Sequence, residues 1–83
     1  MFKAEIYINL KKTVVDPQGT TIKHALESMG YRHLKEVRIG KMVTLTLKTE
    51  DKKKAEAEIQ EMCKKLLANP IIEDYTYKLE EAT

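Results

Sequence analysis

The chain has 83 residues, 42% hydrophobic and 34% charged, with three glycines, two prolines and one cysteine. That length predicts one small domain over residues 1–83, and the composition excludes collagen-like, low-complexity and largely disordered classes. Fifteen Lys and Arg against thirteen Asp and Glu leave a formal charge of only +2, weak for a nucleic-acid module, and one cysteine cannot close an internal disulfide, which suits a reducing cytoplasm.

Residues 2–10 predict a strand. Phe2, Ala4, Ile6, Ile8 and Leu10 alternate with Lys3, Glu5, Tyr7 and Asn9, the period-two mark of one buried face. The charges in this segment argue against a signal peptide, and no stretch reaches the ~18 apolar residues that span a bilayer. A first helix follows, with Asp16 as N-cap, Pro17 at the first helical position and Gly30 as the left-handed stop. Ile22, Ala25, Leu26 and Met29 form its apolar stripe. Gly19 falls in the first turn, where Ala would be preferred. It marks either a close contact with a neighbouring strand or the approach of another chain or ligand.

Val37 and Ile39, then Val43, Leu45 and Leu47, define further alternation around Gly40-Lys41. A three-residue loop over Gly40–Met42 would pair Ile39 with Val43 and Val37 with Leu45, placing all four on one face. The alternative is one long strand over 35–48, which would point Lys41 towards the core. A second helix begins near Thr49-Glu50-Asp51, with Ala55, Ile59, Met62, Cys63, Leu66 and Leu67 as its stripe and Asn69-Pro70 as its end. A last strand over 71–79 puts Tyr75, Tyr77 and Leu79 on one face, with Glu73 breaking the pattern, and 80–83 reads as a polar tail.

The order β-α-β-β-α-β predicts an α+β, ferredoxin-like fold: a four-stranded antiparallel sheet with two helices on one face. The other face would carry Lys3, Glu5, Tyr7, Asn9, Arg38, Thr44, Thr46, Ile72 and Lys78, suited to solvent or to a partner chain. A chain this short buries only about 60–65% of its unfolded surface. With no disulfide and no evident metal site, association is the remaining common stabiliser, so the sheet face or edge is the expected oligomer contact.

No catalytic set emerges. Gly19, Gly30 and Gly40 are too dispersed to cradle a phosphate. Cys63 sits within an apolar stripe, as a buried hydrophobe does, and with His24 and His33 lacks metal-ligand spacing. Lys52-Lys53-Lys54 reads as a solvated face or a contact for an acidic partner. RNA recognition modules share this element order but stack bases on aromatics, and the stretch 41–47 has none.

Taken in order, Leu10-Lys11, Val14-Val15-Asp16-Pro17-Gln18-Gly19, His24-Ala25-Leu26, Met29-Gly30-Tyr31 and Val37-Arg38-Ile39-Gly40-Lys41 resemble the PurS family, the small subunit of phosphoribosylformylglycinamidine (FGAM) synthase. Cys63, Leu66-Leu67-Ala68-Asn69-Pro70 and Ile72-Glu73-Asp74-Tyr75 resemble the family's later part, and Met29 stands where Leu is expected. The resemblance implies a cytoplasmic, non-catalytic subunit of purine biosynthesis. It would self-associate and join the glutaminase (PurQ) and synthetase (PurL) subunits so that ammonia passes between them. It implies no cofactor, metal or catalytic residue in this chain, since ATP and glutamine are used by the partners, and neither nucleic acid nor membrane as a partner. The expected contact residues are Asp16, Pro17, Gln18 and Gly19 at one corner, and Arg38, Gly40 and Lys41 at another. The alternative is a ferredoxin-like regulatory module that binds a small molecule as a dimer.

Overall fold

The computed structural model describes residues 1–82; the reading of Thr83 as part of a polar tail lies outside them. The order is β1 (Phe2–Leu10), α1 (Pro17–Ser28), β2 (Gly40–Leu47), α2 (Lys52–Met62), one π-helical turn (Cys63–Leu67) and β3 (Glu73–Glu81). β1 is the central strand of an antiparallel sheet ordered β2-β1-β3.

The expected four-stranded sheet is thereby corrected to three strands. Its missing member is the segment before Gly40, which runs straight into β2 without turning back. Ile6 pairs with Val43 and Ala4 with Leu45, where the hairpin reading had paired Val43 with Ile39 and Leu45 with Val37. Gly40 has no positive φ; the one glycine that does is Gly30, at 102°, the helix stop. What Gly40 supplies is room. It pairs with Asn9, and a Cβ there would overlap the Asn9 side chain and meet the Ile8 carbonyl oxygen at 2.9 Å. Lys41 shares the core-side face with Val43, as the single-strand alternative required, although the ladder begins only at Gly40.

Alternation in β1 translates directly into burial: Phe2, Ala4, Ile6 and Ile8 are buried. Against them α2 lays Ala55 and Ile59, the π turn adds Cys63, and Ala68 follows directly after it. Val43, Leu45, Leu47, Met62, Leu67, Tyr75, Tyr77 and Leu79 surround that cluster, half covered. Asp51 caps α2 by accepting the Lys54 N–H at 3.2 Å. On the opposite face the register aligns Lys3, Thr46 and Glu80, then Glu5, Thr44 and Lys78. Arg38 and Ile72, expected there, lie outside the strands.

The second correction concerns α1. It forms where its caps predict, but it contributes no hydrophobic side chain to the core, and its one buried residue is Gly19. Among the described residues, none of 11–39 appears among the buried hydrophobic side chains. The molecule measures 50 × 29 × 14 Å with a radius of gyration of 16.4 Å, where a compact chain of this length would have about 12 Å. Residues 17–39 thus form an arm, a helix and an extended return beside it, projecting from a body of one sheet and one helix.

Candidate interaction surfaces

The arm is tied to the body at one polar node. Asp16 ends the turn after β1, and its backbone (φ −113°, ψ 92°) aims the carboxylate over the first turn of α1. Oδ1 accepts the Gly19 N–H at 2.9 Å, and Oδ2 accepts the Ile39 N–H from the returning segment at 2.7 Å. The residue is only 5% exposed. The Gly19 N–H, then the Ile39 N–H, then the Arg38 guanidinium hold its carboxyl below the usual aspartate range, against the opposing effect of burial. Arg38 Nη2 donates to the carbonyls of Lys11 (2.9 Å) and Val14 (3.0 Å), closing the connecting turn. Farther out, Lys23 Nζ donates to the Lys35 carbonyl at 3.0 Å. A Cβ on Gly19 would overlap the Val37 carbonyl oxygen, so helix and return touch there backbone to backbone.

Asp16, Gly19, Arg38 and Gly40 therefore converge on the base of the arm, where each has a definite structural task. Pro17 and Gln18 sit on its outer side and, with Thr21, Ile22 and Ile39, line an open, largely apolar depression. Lys41 lies apart. Its Nζ is 3.5 Å from Glu73 Oε2, on the face of the sheet that also carries Ile8. Glu73 Oε1 accepts the Asn69 N–H at 2.8 Å, so this pattern-breaking carboxylate closes the turn into β3. Two residues that each interrupt an apolar face answer one another across β1. Opposite charges at the ends of two outer strands were the available signal.

A third feature had no sequence signal. Because α1 stands away from the sheet, the β2 side of α2 is uncovered, leaving a groove walled by Leu45, Met62, Leu66 and Leu67. Glu58, Glu61 and Lys65 edge it, and the Lys65 ammonium paired with Glu61 keeps that carboxyl below its ordinary range. Leu66 is 83% exposed, placed outward by the π turn. On the arm, Ile22 (40%) and Met29 (71%) are likewise uncovered.

Reactive chemistry is sparse. Burial pushes the Cys63 thiol up, the opposite of what a nucleophilic thiolate needs. His24 and His33 are exposed, on α1 and in the returning segment respectively. Among the described residues no three His, Cys, Asp or Glu side chains are grouped to hold a metal ion, and no helix is long and apolar enough to cross a membrane. The Glu5 carboxylate accepts the Tyr7 hydroxyl at 2.6 Å and raises its pKa. Lys78 lies 6.0 Å from the same ring.

The sequence profile of the PurS family, described as phosphoribosylformylglycinamidine (FGAM) synthase, matches residues 3–81. The PurS subunit of that synthase from Bacillus subtilis is 48% identical over 81 residues, covering 98% of this chain and 95% of the relative. The crystal structure of Methanocaldococcus jannaschii PurS, one of the subunits of formylglycinamide ribonucleotide amidotransferase in the purine biosynthetic pathway, superposes with a TM-score of 0.88 at 46% identity and covers both chains completely. A chain in the structure of PurLQS from Thermotoga maritima matches with a TM-score of 0.87 at 33% identity, over 95% of this chain and 96% of that one.

Proposed function

The chain belongs to the PurS family, and from that premise we propose that it is the small, non-catalytic subunit of FGAM synthase in purine biosynthesis, self-associated and joined to a synthetase (PurL) and a glutaminase (PurQ) subunit. The observation that carries the reading is the division of the molecule. A subunit that worked alone would bury its apolar residues in its own core; here Val15, Ile22, Met29 and Tyr31 stay exposed and residues 11–39 add no hydrophobic side chain to the core. A 12-residue helix is marginal in water without tertiary cover, so α1 needs a partner to be worth building.

The role follows from the chemistry of ammonia. Released into water near neutral pH it is mostly protonated and diluted, and it loses the advantage of a nucleophile delivered in place. A third chain that holds glutaminase and synthetase in register, and keeps water out between them, preserves that advantage. ATP and glutamine are handled by the partner subunits, and the complex works in the cytoplasm. Contacts to the partners use the arm's base and its outer side: Pro17 and Gln18 offer surface, while Asp16, Gly19, Arg38 and Gly40 hold that surface in place. Lys41 adds a separate charged contact on the core-side face of the sheet.

Reconstitution tests this. Glutamine-dependent amidine formation should require this chain together with the two partner subunits, while the chain alone binds neither ATP nor glutamine. Full glutamine-dependent turnover by the two partners without it would refute the bridging role. Tight binding of a small effector by the isolated chain would favour a regulatory module instead.

A further inference from the structure

We infer that the outer edge of β3 is a docking strand: it takes an extended, basic segment of a non-identical subunit as a fourth strand of the sheet. This goes beyond the arm contacts proposed above and rests on the subunit reading only for where such a segment is to be sought. The register decides which backbone groups are free. The Ala82 N–H donates to the Met1 carbonyl at 2.8 Å and the Lys11 N–H to the Ile72 carbonyl at 2.8 Å, at the two ends of the β1–β3 ladder. In an antiparallel pair such exchanges recur at every second residue. Asp74, Thr76, Lys78 and Glu80 therefore turn their backbone groups inward to β1, and Tyr75, Tyr77, Leu79 and Glu81 turn theirs outward. The Glu73 N–H is already given to the Asn69 carbonyl at 2.7 Å. Because β3 is an outer strand, the row from Tyr75 to Glu81 is open to a further strand.

Charge selects the occupant. β3 carries Glu73, Asp74, Glu80 and Glu81 against Lys78, a net −3 in a chain whose formal charge is +2, whereas β2, the opposite outer strand, carries Lys41 alone. A second β3 pairing antiparallel along its whole length would set Glu73 against Glu81 and Asp74 against Glu80, like charges directly opposed, which destabilises a sheet. A strand bearing Lys or Arg at its ends gains where a second copy loses. Lys11 and Lys41 already engage Asp74 and Glu73, but Glu81 faces Phe2 across the ladder, with no cation opposite it. Between the acidic ends lie the half-buried Tyr75, Tyr77 and Leu79, which favour apolar neighbours on the core side. Main-chain bonds would hold such a strand and its alternating side chains would identify it.

Amide hydrogen exchange tests the alternation. The isotopically labelled full chain is exchanged alone and assembled with the synthetase and glutaminase subunits, then quenched, separated and read by nuclear magnetic resonance. Assembly should slow the outward Tyr77 and Leu79 amides about a hundredfold, while Thr76 and Lys78, already bonded to β1, change little. Reversing two exposed charges, Glu80→Lys with Glu81→Lys, should weaken binding to the partner subunits about tenfold and leave the far-ultraviolet circular dichroism of the chain unchanged. Fast exchange at Tyr77 and Leu79 within an assembled complex overturns the docking strand and leaves the bridging role standing. Slow exchange of the same two amides in the chain alone overturns it too, because a second copy would then cover the edge. A charge-reversed chain that binds like the parent refutes the basic partner. Failure to assemble with either subunit is read in co-sedimentation before any exchange is measured, and it sinks the subunit reading and the docking strand together.

Discussion

The body and the arm are built from similar residues and reach opposite ends. In the body, β1 alternates and every inward residue from Phe2 to Ile8 is covered, because a strand on each side and a helix above close the space around it. In the arm, α1 has correct caps, a proline at its first position and an apolar stripe, yet Ile22 and Met29 face outward. Good local signals make a helix; only a surface makes it bury. Stability of the body and association through the arm should therefore separate under mutation.

The largest effect belongs to the body. Ile59→Ala, at a fully buried site beneath the sheet, should cost about 2–5 kcal/mol in chemical denaturation. Met29→Ala on the arm should leave the denaturation midpoint of the dilute chain within roughly 0.5 kcal/mol and act on association instead. Equal destabilisation by the two would erase the distinction between the regions.

Gly19→Ala sits between them. Its Cβ would overlap the Val37 carbonyl oxygen and lie 2.9 Å from Asp16 Oδ2, both parts of the node that sets the arm's direction. Hydrogen exchange should accelerate at the Ile39 amide, which donates to Asp16, while amides in the centre of β1 keep their protection. Uniform loss of protection throughout β1 would show that arm and body unfold together.

These contrasts also explain what the sequence could disclose. The first strand, both helix starts and the burial of Cys63 depend on neighbours in sequence, and their residues announce them. Alternation at Val37 and Ile39 was equally visible, but it reports only that successive side chains face opposite ways. It does not say which element covers them. The hairpin reading supplied β2 as the neighbour; the structure supplies the first turn of α1 and the Asp16 carboxylate. The glycine at 40 was compatible with both, since close approach and a bulged turn ask for the same missing Cβ. The groove was illegible for the same reason, as it exists only because α1 is elsewhere. The role of the seven expected contact residues was half visible: Asp16 and Pro17 declared themselves as cap and first turn, whereas Arg38 gave no sign that it closes the 11–14 turn.

A smaller effect is expected from acid. The Asp16 carboxyl is held below its usual range when folded, so its stabilising effect is present above the unfolded value of about 3.9 and is lost as pH falls through the lower folded value. Protonation weakens both accepted N–H bonds. Protection of the Ile39 amide should therefore fall on acidification below pH 4, ahead of the β1 amides, and Asp16→Asn should show that reduced protection already at pH 7. An Asn variant with the parent's pH dependence would assign the titration to another group.

The smallest effect is the most discriminating for how the sheet tolerates charge. Lys41 lies on the core-side face, but its side chain is 62% exposed and its ammonium stands 3.5 Å from Glu73, whose carboxylate is already engaged by the Asn69 N–H at 2.8 Å. The pair is therefore partly solvated, and exposed pairs contribute only about 0.2–1 kcal/mol. Lys41→Met removes that attraction and adds an apolar side chain beside Ile8, so the two changes oppose each other and the midpoint should move by less than about 0.5 kcal/mol. Glu73→Gln keeps an oxygen for the Asn69 N–H but removes the charge, and should be equally mild. Glu73→Ala removes both and leaves the Asn69 N–H without its acceptor, so it should exceed either. If Lys41→Met instead costs as much as Glu73→Ala, the ion pair and not the turn is what Glu73 is there to make, and the end of the sheet beside the arm is held by charge.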